Sequence, residues 1–134
     1  MIKLCYIARQ KTDGTYERII CKSDGNFSGV GQMLIDHYND AKKAMALIKL
    51  GNIITLGKSL DETDTIYSYN KDWFAVKPKI SDMLGLRNAL TDSSIAYLYV
   101  FTRGKWLVHN HQNDQLMSLK TALEILKTVN AKDL

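Results

Sequence analysis

The order of runs along the chain predicts an α+β protein: an antiparallel sheet of four to six strands with about three to four helices packed mostly on one face. Two observations carry this. β-rich runs come in adjacent pairs joined by short turns, over residues 2–9 with 15–22 and residues 95–102 with 105–110. Runs with apolar residues at helical spacing lie between and after these pairs, without the strand–helix–strand alternation of a parallel sheet. The 134 residues, 46% hydrophobic and 24% charged, suit a single domain over 1–134 that buries enough surface to fold without metal or disulfide.

The first hairpin turns at Thr12-Asp13-Gly14. A three-residue loop with glycine last sets Lys11 opposite Thr15, Arg9 opposite Glu17 and Cys5 opposite Cys21. A two-residue loop would place Arg9 against Arg18, and like charges directly opposite are unfavourable. The two cysteines are expected to be buried, reduced and facing each other. Ser23-Asp24-Gly25-Asn26-Phe27-Ser28-Gly29-Val30-Gly31 follows, three glycines in seven residues, with Ser28 as N-cap of a helix carrying Val30, Met33, Leu34 and Tyr38. Asp40 caps a second helix with a stripe of Ala41, Ala44, Met45, Leu47 and Ile48, and Gly51 ends it. Ile53 to Leu56 reads as a buried connector or a single 3₁₀ turn.

Residues 58–64 are polar and loop-like, 65–69 and 73–77 read as short strands, and Pro78 closes the second. Ser81 or Asp82 caps a modest helix to Leu90 that Gly85 weakens. Residues 95–102 form the strongest strand signal. A two-residue turn at Arg103-Gly104 pairs Phe101 with Trp106 and Val100 with Leu107. Ser118 caps a last helix to about Asn130, with Leu119, Ala122, Leu123, Leu126 and Val129 on one side and Lys127 near its negative end. The expected core includes Val30, Leu34, Met45, Ile48, Val100 and Leu126.

Several function classes are set aside by composition and spacing. The N-terminus lacks a signal-peptide layout and no apolar run nears 20 residues, so a cytoplasmic protein without a membrane span is expected. There is no Cys-x-x-Cys pair, no nucleophile-elbow pattern and no repeat, and the reading leans against an enzyme, a metal or a cofactor. The glycine loop can cradle a nucleotide or signalling phosphate, with Lys22, Ser23, Asp24, Ser28, Gly29 and Gly31 as binding residues. It matches neither the Walker A nor the dinucleotide pattern, and a packed turn accounts for the same glycines. His109 and His111, two apart, share a strand face that a metal can use, and His37 is read as a helix-end residue. Lys42, Lys43, Lys49 and Lys58, with Tyr67, Tyr69, Trp73, Tyr97 and Tyr99, outline a weaker nucleic-acid surface. The net charge of +4 suits an acidic protein partner at least as well.

The run from Ile20 to Gly31, followed by Leu34, His37-Tyr38-Asn39-Asp40, Lys43, Leu47-Ile48, Leu50-Gly51-Asn52-Ile53 and Leu56-Gly57, resembles a family of small tailed-phage and prophage proteins, largely without assigned function. Residues 16–57 carry the resemblance, and residues 97–108 are similar to the family's aromatic hairpin more loosely. The chain departs from the pattern at Lys22, where a histidine is common, and at Trp73-Phe74-Ala75-Val76-Lys77-Pro78, where a charged stretch is common. The resemblance implies no catalytic residues. It implies a phage product made in a bacterial host, one that binds a host protein, such as a defence factor, and inhibits or redirects it.

Overall fold

The computed structural model describes residues 4–22, 27–67, 71–72, 76–92, 94–110 and 115–132, without the side chains of 27, 28, 110, 115 and 129–132. Eight strands form one mixed sheet: β1 (Leu4–Gln10), β2 (Tyr16–Cys21), β3 (Ile53–Thr55), β4 (Asp64–Thr65), β5 (Lys79–Ser81), β6 (Ile95–Thr102), β7 (Lys105–Asn110) and β8 (Gln115–Ser118). Among the described residues four α-helices accompany it: α1 (Gln32–His37), α2 (Ala41–Lys49), α3 (Met83–Ala89) and α4 (Leu119–Lys132). The α+β class holds, with a larger sheet than expected and two parallel pairings in it. The path across the sheet is β4-β3-β2-β1-β6-β7-β8, with β5 paired to β2 as well.

Local signals set the hairpins. Lys11 N donates to the Thr15 carbonyl at 2.7 Å, and Gly14 takes φ +89°, the left-handed position of the three-residue loop. Asp13 Oδ1 accepts from Thr15 N and Thr15 Oγ1, locking the turn and lowering the Asp13 pKa from its ordinary value. The expected register follows, with Arg9 opposite Glu17 and Cys5 opposite Cys21, and both cysteines are fully buried. In the second hairpin Phe101 pairs with Trp106 and Val100 with Leu107. The Phe101 and Trp106 rings meet edge to face at 5.2 Å.

β1 runs parallel to β6. Its residues Cys5-Tyr6-Ile7-Ala8 are all buried, as a central strand covered on both faces requires. β3 also runs parallel, pairing Cys21 with Ile53, so Ile53 to Thr55 is a strand and not the expected connector. Of the expected strand over 65–69, Thr65 lies in β4, where Asp64 and Thr65 pair with β3, Ile66 bends away, and 68–69 lie outside the described residues. The expected strand over 73–77 lies mostly outside the described residues.

Strand alternation splits the core in two. Cys5, Ile7, Ile19, Cys21, Tyr99, Phe101, Trp106 and Val108 point to the face covered by α1, α2 and α4. Tyr6, Ala8, Leu98 and Val100 point to the other face, where Leu86 and Leu90 pack against them. Asp40 caps α2 as expected, accepting from Lys43 N at 2.7 Å, and Asp82 caps α3 at Gly85 N. α2 ends at Gly51, where φ is +82° and an added Cβ would lie 2.6 Å from the Val76 carbonyl oxygen, so only glycine fits. The buried stripe of α2 is Ala44, Leu47 and Ile48. Met45 was expected there and is instead 40% exposed, because it sits 100° round the helix from Ala44 and away from the sheet. Leu126 is half-buried rather than core, about one turn beyond the Ala122–Leu123 contact with the sheet face.

Candidate functional site

The glycine loop was the first candidate. Phe27–Gly31 form a π-helical turn that runs directly into α1. Ser28 is therefore inside a helical turn and is not the N-cap of α1. Gly31 holds that position at φ −58°, ψ −48°, with no side-chain cap bond. Gly31 is buried, and a Cβ there would meet Leu119 Cδ1 at 3.2 Å and the Tyr99 ring at 3.4 Å. Its missing side chain lets the turn lie against β6 and α4. Gly29 is half-buried, and Lys22 is exposed at the end of β2 with its N–H bonded to the Ile53 carbonyl. Ser23, Asp24 and the Ser28 side chain lie outside the described residues.

The other sequence candidates disperse. His37 ends α1 and lines a cleft of about 370 Å³ with Asp36, Lys43 and Lys58, whereas His109 lies on the opposite sheet face, and His111 is outside the described residues. Among the described residues no three His, Cys, Asp or Glu side chains are grouped to hold a metal. Lys49 is taken up by Glu17, its Nζ 3.0 Å from Oε2. Tyr99 is fully buried and offers no ring to a base, and Tyr97 packs beside it, partly buried against the helix-side core. Tyr69 and Trp73 lie outside the described residues.

What the fold does assemble is a groove of about 460 Å³ on the second face of the sheet. α3 covers the β1, β2 and β6 side of that face through Leu86 and Leu90, and no other described helix lies on it. The floor is apolar, made of Leu98 and Val100 from β6, Leu107 from β7 and Leu116 from β8, with Met83 and Leu86 as the α3 wall. Toward the β6–β7 turn the floor becomes polar, where Thr102 Oγ1 donates to Gln10 Oε1 at 2.6 Å. Arg87 of α3, Arg103 of the turn and Lys105 of β7 stand around the groove, all exposed. None of its described lining residues carries a carboxylate, and these three cations form no ion pair with a described residue. An apolar concavity with convergent cations recognises a ligand surface that is apolar at its centre and acidic at its edge.

Sequence reasoning missed this groove because its residues come from five separated segments. The signal was present in part: Leu107 and Leu116 fall on the strand face opposite Trp106 and Val108, so a second apolar face was written in both strands.

No family model, no curated protein and no solved structure matches the chain. No helix among the described residues is long and apolar enough to cross a membrane.

Proposed function

We propose that this chain is a non-enzymatic accessory protein of a phage or prophage that binds a host protein in the bacterial cytoplasm and inhibits or redirects it. The single observation that carries the binding is the apolar groove with Arg87, Arg103 and Lys105 around it and no carboxylate among its described lining residues. Such a surface leaves both apolar area and charge unsatisfied in the isolated chain, and a partner with acidic edges satisfies both. The phage context is supported by the strand–glycine-loop–helix–His-Tyr–helix pattern of residues 16–57. A defence factor of the host fits as the target class.

The test is affinity capture from host lysate with the parent chain and with the double variant Arg103→Glu/Lys105→Glu. Both substitutions are at exposed positions, so the melting temperature should stay within a few degrees of the parent. The expected result is a specific host protein held by the parent and lost by the variant. Recovery of no specific partner, or equal capture by both chains, overturns the proposal.

A further inference from the structure

The groove's dimensions specify the form of its occupant. β6, β7 and β8 are consecutive neighbours, so the strip from β6 to β8 spans two strand spacings, about 10 Å, which is the diameter of one α-helix. On the helix-covered face of these same strands, that strip is already filled by one helix of the chain itself. There Leu119, Ala122 and Leu123 of α4 pack against Trp106 and Val108. On the groove face α3 stops at the β6 side, and the strip over β7 and β8 has no described helix on it. Leu107 is half-buried there and Leu116 is 40% exposed.

We infer that the groove receives an acidic amphipathic α-helix of the partner protein, laid over β7 and β8 beside α3. Its apolar stripe meets Leu107, Leu116 and Met83, and its flanking carboxylates meet Arg87, Arg103 and Lys105. This inference rests on the proposed binding of a host protein and names the part of that partner that is recognised. Helix-in-groove recognition reads anchors at i, i+3, i+4 and i+7, and the three apolar contacts supply that stripe. Charge argues against a second copy of this chain as the occupant. The net charge is +4, and the α4 helix carries Lys120 and Lys127 against Glu124 over its described side chains.

The experiment is selection of a randomised library of helix-compatible peptides, about 16 residues long, on the folded chain, with Arg103→Glu/Lys105→Glu and Leu116→Glu as counter-targets. The expected outcome is enrichment of peptides with apolar residues at helical spacing and Asp or Glu on the flanks. A synthetic peptide of that consensus should gain helical circular dichroism on binding and lose at least about tenfold in affinity on each variant, more steeply as salt falls. Enrichment of basic, extended or proline-containing peptides, no enrichment at all, or affinity unchanged in the variants overturns the inference. So does a concentration-dependent dimer in sedimentation that Leu116→Glu abolishes, which assigns the groove to a second copy. The two readings fail separately: host-protein capture that persists while peptides of another type are selected sinks the helix alone. A selected acidic helix with no host protein captured sinks the proposed function and leaves the groove's preference standing.

Discussion

Glu17 is buried on the helix-covered face of the sheet, with its side chain only 4% exposed. Its carboxylate lies 3.0 Å from Arg9 Nε across the hairpin and 3.0 Å from Lys49 Nζ of α2. The two partners are not equal. Arg9 is largely buried, whereas Lys49 is 54% exposed and its pairing is screened by water. Arg9→Met should therefore cost about 3 kcal/mol, because it leaves the buried carboxylate with only a solvent-exposed partner, while Lys49→Met should cost less than about 1 kcal/mol. Urea unfolding of the two variants checks the ordering, and equal losses would contradict it. Tyr38 is a second residue with long reach. Its hydroxyl donates to the Gly57 carbonyl at 2.7 Å, and its own carbonyl accepts from Trp106 Nε1 at 3.0 Å, tying the end of α1 to the 57–63 loop and to β7. Burial is the main cause that raises the Tyr38 phenol above its ordinary pKa. The folded state thus holds the proton longer than the unfolded chain does. The associated stability is present below the unfolded phenol's pKa, near 10, and is lost as pH rises from there toward the folded value. Tyr38→Phe should flatten this alkaline loss and cost about 1–3 kcal/mol at neutral pH by leaving the Gly57 carbonyl without its hydroxyl donor. Thermal melts across neutral to alkaline pH measure both effects.

At the scale of elements, the π turn and α1 show how one small residue decides a packing distance. Gly31 has helical φ and ψ, so alanine there is conformationally allowed and favoured in helix propensity, but its Cβ would press on Leu119 and Tyr99. Gly31→Ala should be close to neutral, and Gly31→Val should lose about 1–3 kcal/mol by overpacking. If instead the valine chain melts as the parent does and loses binding of a nucleotide that the parent binds, the turn is a ligand cradle and not a packed junction. The amphipathic α2 makes a complementary case. Leu34 of α1 and Ile48 of α2 are fully buried under the sheet, and truncation of either to Ala should cost about 2–5 kcal/mol. Met45→Ala, on the exposed side of α2, should stay within about 1 kcal/mol. Denaturant midpoints for the three variants test the helix's rotation directly, and a large Met45 loss would mean that this side is covered.

For the whole molecule, the central fact is a sheet with two unequal covers. Among the described residues three helices and the hairpin aromatics fill one face, and one short helix lies on the other. The part of that face with no described helix on it coincides with the groove and with its three cations. Raising ionic strength should therefore leave the fold nearly unchanged, since the Arg9–Glu17 pair is largely buried, and should weaken binding of the proposed acidic partner, since Arg87, Arg103 and Lys105 are exposed. Melting temperature and affinity measured over one salt series separate the two, and parallel changes in both would contradict the division.

The amino-acid sequence by itself determined the α+β class, the two hairpin registers, the caps at Asp40 and Ser118, and the stop at Gly51, and it narrowed the cap of α3 to Ser81 or Asp82, of which the structure uses Asp82. Each is decided within a few residues, by turn geometry, cross-strand pairs or a side chain reaching a nearby N–H. The sheet's order was decided elsewhere. β1 meets β6 across some ninety residues of chain, and β3 and β5 share the outer edge of β2. Those contacts depend on which apolar faces can be covered together, a property of the assembled layers that no local pattern contains. The unbroken apolar runs Cys5-Tyr6-Ile7-Ala8 and Leu98-Tyr99-Val100-Phe101 belong to strands buried on both faces, whereas the expectation was an antiparallel sheet covered mostly on one. Only the tertiary structure chose their parallel partnership and, through the half-covered second face, placed Arg87, Arg103 and Lys105 around one groove. Three cations that are ordinary surface residues in the chain stand around one groove because α3, the one described helix on that face, packs on its β6 side.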